Sequence, residues 1–122
     1  MTVNESSENY LETILVLSKS LPVVRAVDIA VKLNFKKSSV SIAMKNLRES
    51  NYITVTNEGW IYLTASGLTI AEMIYERHKL LTSWLEKLGV DSVTAAEDAC
   101  KMEHVISPKS FEAIRLHAEK TR

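Results

Sequence analysis

The chain has 122 residues, 46% apolar and 25% charged, with a formal net charge of zero. This is a globular composition, sufficient for one domain or two small lobes. No apolar run approaches the roughly 20 residues needed to span a bilayer. The single cysteine, Cys100, cannot form an internal disulfide, which points to a reducing cytoplasm.

The opening "MTVNESSENY" is polar and acidic, unlike a signal peptide. Only three glycines and two prolines interrupt the chain, which favours a mainly helical fold. Residues 6–19 begin with a serine cap candidate and early glutamates, then place Tyr10, Leu11, Ile14, Leu15 and Leu17 at helical spacing. The following "LPVV" is expected to be extended, because Leu21 precedes a proline. Residues 24–33 predict a short second helix with Val27, Ile29, Ala30 and Leu33 on its buried stripe. After "NFKK", Ser38 or Ser39 is expected to cap a third helix, with Val40, Ala43, Met44 and Leu47 facing inward.

"YITVTNEGWIYLT" reads as two short strands around a turn at Asn57-Glu58-Gly59. Thr64 or Ser66 then caps a long helix running to about Leu88, which Gly89 ends. "DSVTAAEDACKMEHVI" predicts a fifth helix, and Pro108 opens a sixth, "PKSFEAIRLHAEK". Helix, short helix, helix and two-stranded hairpin is the order of a winged helix-turn-helix. The fold expected is therefore mainly α: a DNA-binding winged helix-turn-helix over residues 1–64, then a helical domain over 65–122.

The charge is unevenly spread. Arg25, Lys32, Lys36, Lys37, Lys45 and Arg48 face only Asp28 and Glu49 in the stretch 25–50. The stretch 86–104 is conversely acidic, with Glu86, Asp91, Glu97, Asp98 and Glu103 against Lys87 and Lys101. One region suits an anion and the other a cation. A recognition helix needs donors near its N-terminus, and Lys36, Lys37, Ser38, Ser39 and Ser41 supply them. Arg25 opens the second helix and is placed for a backbone contact, while Lys45 and Arg48 face either phosphate or water. No Asn or Gln lies on the outer face near the helix start, which leaves room for water-mediated or shape readout.

In "CKMEHVIS", Cys100, Glu103 and His104 fall at i, i+3 and i+4 and share one helical face. A thiol, a carboxylate and an imidazole converging there are candidate ligands for a divalent ion, or three polar residues on an ordinary helix. Asn9 and Glu12 on the first helix and His78 on the long helix are further candidates. A cysteine-protease reading fails, since a nucleophile and base one turn apart on one helix leave no oxyanion hole or cleft. No catalytic residue is assigned, and no glycine-rich phosphate loop is present.

Taken together, "SENYLETI", "VDIAVKLNFKKSSVSIAMKNLRESNYI", "GWIYLTASG", "ERHKLL" and "CKMEHVIS" resemble the diphtheria toxin repressor family, the metal-dependent repressors of iron and manganese uptake. The resemblance spans about residues 6–118. "CKMEHVIS" is similar to the iron-type branch, whereas the short two-domain length is similar to the manganese transport regulator branch. The resemblance implies a metal-activated repressor, a homodimer on a double-stranded DNA operator, with metal between the first helix and the dimerisation domain.

It also implies Cys100, Glu103 and His104 as the principal ligands. Asn9 stands where the two branches carry Met or Asp, and Glu12 and His78 match the manganese branch's adjacent second site. An ancillary site of the iron-type branch is replaced by Thr82 and Ala96. The family metals are Fe(II) and Mn(II). Thiolate ligation also suits Co(II), Ni(II) or Zn(II). Asn9, a neutral amide ligand, motivates a rival: a winged-helix regulator whose metal sensing is lost or altered. A metalloenzyme or metal carrier is the alternative from another class.

Overall fold

The computed structural model describes residues Asn4–Lys120. Helix α1 spans Glu5–Ser18, α2 Ala26–Leu33 and α3 Lys37–Glu49. Strands β1 (Ile53–Val55) and β2 (Ile61–Leu63) follow, then α4 (Ala65–Lys87), α5 (Ser92–Val105) and α6 (Pro108–Lys120). The fold is a helix-turn-helix with a small hairpin wing, followed by a helical region. Two compact units divide between Glu72 and Met73, a point inside α4.

In the first unit, α1, α2 and α3 pack on one another, and α1 and α3 on the hairpin. Leu11, Ile14, Ile29, Val40, Leu47, Ile53 and Ile61 are buried there. The cap of α1 is Asn4 rather than a serine. Its side-chain oxygen accepts from the Ser7 amide at 2.7 Å, so the helix starts just before the serine pair. Helix α2 is held at its start by the Arg25 amide donating to the Asp28 carboxylate at 2.9 Å. It ends on Asn34, whose left-handed backbone (φ 57°) lets the Phe35 amide reach the Ala30 carbonyl at 3.0 Å. The Phe35 ring then meets Tyr10 edge-on, with centroids 6.0 Å apart.

Ser38 and Ser39 do not cap α3. The cap position is Lys36, without a side-chain hydrogen bond, and both serines lie in the first turn. The inward stripe is Val40, Met44 and Leu47, with Ala43 half-buried.

The strands pair antiparallel, Thr54 opposite Tyr62 and Val55 opposite Ile61. Thr56 and Trp60 close the turn, where Gly59 adopts φ 87°. A hairpin this short is marginal alone. It is anchored by buried Ile53 and Ile61 and by a third extended segment: the Ile61 amide donates to the Val24 carbonyl at 2.8 Å. The extended backbone after Pro22 thus joins the wing to the residue preceding Arg25.

Thr64, not Ser66, caps α4. Its hydroxyl oxygen accepts from the Gly67 amide at 3.2 Å and donates to the Asn51 carbonyl at 2.7 Å. The helix stops at Lys87, and Gly89 just beyond it adopts φ 103°, the left-handed turn its position predicts. Asp91 caps α5, accepting from the Thr94 amide at 3.0 Å, which holds its carboxyl below the usual carboxylate range. Ser107 caps α6 through the Ser110 amide, with Pro108 at the first helical position. In the second unit Ile74, Leu81, Ala95, Ala99 and Ala118 are buried. No described helix is long and apolar enough to cross a membrane.

Candidate functional site

Helices α4 and α5 of the second unit build a polar centre out of mostly apolar faces. Along α4, Ile74 and Leu81 are fully buried, and Arg77 is buried between them at the same spacing. On α5, alanines at 95 and 99 lead into Glu103, whose side chain is 0% exposed. Polar groups on the two helices meet at Glu103.

Glu103 Oε2 lies 2.9 Å from His78 Nδ1 on α4. Its other oxygen, Oε1, lies 3.4 Å from His104 Nε2, and the His104 side chain is only 3% exposed. Oε1 accepts no hydrogen bond from the described residues. A buried carboxylate costs several kcal/mol unless it meets a cation or donors, to order of magnitude. Two imidazoles and an incompletely satisfied carboxylate oxygen are suitable donors for a borderline divalent ion. This buried carboxylate–histidine cluster is able to coordinate a divalent metal.

Cys100 sits one turn earlier on α5 and is exposed. In the first unit, Glu12 is buried on α1 and Asn9 is half-buried, its backbone carbonyl accepting from the Thr13 hydroxyl at 2.8 Å.

Arg77 was not legible as a site residue. Its Nη1 donates to the Glu103 carbonyl at 3.1 Å and the Ile106 carbonyl at 3.2 Å, satisfying the C-terminal end of α5. The guanidinium also lies over the Phe111 ring of α6, 5.3 Å from its centroid. The only signal in the sequence is a charge on the apolar stripe of α4. Arg77→Met keeps the apolar stem and removes both bonds. The expected loss is about 2–3 kcal/mol by urea unfolding, because a charge-assisted donor goes and a buried carbonyl is left unmet. An unchanged midpoint and slope would contradict this role.

The basic residues of the stretch 25–50 lie on the first unit. Lys36, Lys37, Ser38, Ser39, Ser41 and Lys45 are all exposed on or just before α3, and Arg25 is exposed at the start of α2. Arg25 also lies 3.7 Å from the Asp28 carboxylate, so part of its charge is already engaged. Between α3 and the wing is an open cleft of about 270 Å³, with Ser41, Lys45 and Arg48 at its polar side and Met44, Val55 and Ile61 beneath.

Residues 2–59 match the model described as "Iron dependent repressor, N-terminal DNA binding domain", and residues 64–121 match "Iron dependent repressor, metal binding and dimerisation domain". An HTH-type transcriptional regulator of Methanocaldococcus jannaschii is 34% identical over 97% of this chain and 96% of its own. The chain belongs to the iron-dependent repressor family. The members of this family are metal-dependent, DNA-binding transcriptional repressors, and their work is regulatory rather than catalytic.

The transcriptional regulator MntR of Escherichia coli O157:H7 is 32% identical over 95% of this chain and 75% of that protein. Among solved structures, the manganese regulator SloR superposes with a TM-score of 0.82 at 26% identity, over 98% of this chain and 55% of that one. This iron-dependent repressor homologue thus spans about half the length of that solved chain.

Proposed function

We propose that this chain represses genes of metal homeostasis by binding double-stranded DNA as a homodimer on a roughly palindromic operator, in response to a divalent metal. The observation that carries this reading is the fully buried Glu103 carboxylate set between His78 and His104. A divalent ion held there supplies positive charge against the carboxylate and accepts imidazole lone pairs. Glu103, His104 and His78 hold it, joined by the Cys100 thiolate and by Glu12 and Asn9 of α1, as the family resemblance implies. Fe(II) and Mn(II) are the expected ions. The likeness to a manganese regulator favours the second, and the thiolate the first.

Repression follows if the metal-loaded state binds DNA better than the apo state, since a ligand shifts a population only through that difference. Lys36, Lys37, Ser38, Ser39, Ser41, Lys45 and Arg25 then meet phosphates and base edges. The homodimer forms through the last three helices, where Leu88 and Val105 are exposed apolar residues. The compartment is the cytoplasm, where the operator and a reduced Cys100 are found together.

The test is a titration of reduced apo-protein with Co(II), with Cys100→Ser as control and labelled DNA as companion sample. The expected result is a thiolate-to-cobalt charge-transfer band absent from the control, and DNA binding that chelator reverses. DNA binding indifferent to chelator would instead establish the rival, a winged-helix regulator without metal sensing. Ala substitution of Lys36 or Lys37 is expected to lower the salt dependence of log K by roughly one each, as for a lost phosphate contact. An unchanged slope would remove that lysine from the interface.

A further inference from the structure

Ile42 is 64% exposed, although it lies in the middle of α3. The core does not need it: Val40, Met44 and Leu47 are the buried residues of this helix, and Ile42 projects from the opposite side. Its neighbours on that face are Ser38 and Ser39 one turn before and Lys45 and Asn46 one turn after, all exposed and all able to hydrogen-bond. Single exposed apolar side chains are ordinary on protein surfaces. Ile42 differs in standing among hydrogen-bond donors, Lys45 included, where a branched hydrocarbon can neither bond a phosphate nor attract one.

The major groove offers such a side chain one apolar partner. Its edges present hydrogen-bonding atoms at every base pair, and the C5-methyl of thymine is the exception. We infer that Ile42 is a specificity-determining residue that reads a thymine methyl in each half of the operator. Ser38, Ser39 and Lys45 hold the helix in the groove, and Ile42 makes the choice between thymine and the methyl-free pyrimidine. This rests on α3 being the helix that enters the groove, and it adds a readout that polar contacts alone would not give.

The experiment selects double-stranded DNA from a randomised library with the full chain, with Mn(II) present and absent. In the selected duplex, each thymidine is then replaced in turn by deoxyuridine, which removes only the methyl. At one thymine per half-site, wild-type affinity is expected to fall roughly fourfold, the worth of one buried methyl-sized group. The Ile42→Ala protein, with wild-type circular dichroism and melting temperature, should be insensitive at that position and unchanged elsewhere. Failure to select any sequence would overturn the DNA-binding reading itself. A selected duplex with no uracil-sensitive position, or with sensitivity undiminished in Ile42→Ala, would overturn the role of Ile42 alone.

Discussion

Glu103→Gln is expected to weaken divalent metal binding by on the order of 100-fold or more while leaving the apo-protein folded. Changing a group that only supports a metal ligand typically costs about 10–100-fold in affinity. A carboxylate that itself faces the ion should cost at least as much. The amide is nearly isosteric, so the fully buried site is not emptied. It also carries no charge into a low-dielectric environment, which offsets part of what is lost with His78. The apo melting temperature is therefore expected to stay within a few degrees of wild type. Isothermal titration with Mn(II), paired with a thermal melt in chelator, separates the two effects. Unchanged metal affinity with an unchanged fold would exclude Glu103 as a ligand. Lost affinity with an unfolded apo-protein would make its role structural.

Gly67→Ala is expected to destabilise the protein by about 3 kcal/mol or more, the upper end for forcing atoms into a packed site. Helix propensity taken alone argues for the opposite sign, a gain of about 1 kcal/mol for alanine over glycine inside a helix. What decides is the surroundings. A Cβ on Gly67 falls 2.0 Å from the Tyr52 carbonyl oxygen and 2.9 Å from the carbonyl carbon. Both are backbone atoms and cannot swing aside. The same carbonyl accepts from the Thr64 amide at 3.0 Å, and the Thr64 and Ser66 hydroxyls both reach Asn51. Moving α4 away breaks this junction between α3, the wing and α4. Urea unfolding of Gly67→Ala gives a clear answer: a raised midpoint would show that the close approach does not exist in solution.

The sequence alone determined what depends on short separations along the chain. Apolar spacing marked the helices, Gly59 and Gly89 the turn and the stop of α4, and Pro108 the start of α6. The donors before and along α3 were readable because a helix displays neighbours three and four apart on one side. Glu103 and His104 stood out for a similar reason, as chemistry-bearing residues at the end of one helix.

The tertiary structure alone decided which side chains meet across the chain and which are buried. His78 and Glu103 are 25 residues apart in sequence and 2.9 Å apart in space, a pairing between α4 and α5 that no local pattern announces. Arg77 is a buried clamp on the end of α5, bonded to the carbonyls of Glu103 and Ile106, 26 and 29 residues away. Nothing local to Gly67 announces the Tyr52 carbonyl beside it. Even helix starts divided this way: Asn4 and Thr64 cap because their oxygens reach specific amides, while Ser38 and Ser39, with the right chemistry, lie one turn too far along. Periodicity is a property of one element, whereas contact depends on the distance and angle between two. The same 3.6-residue repeat that exposes Ile42 on α3 cannot say by itself which neighbour covers the other face.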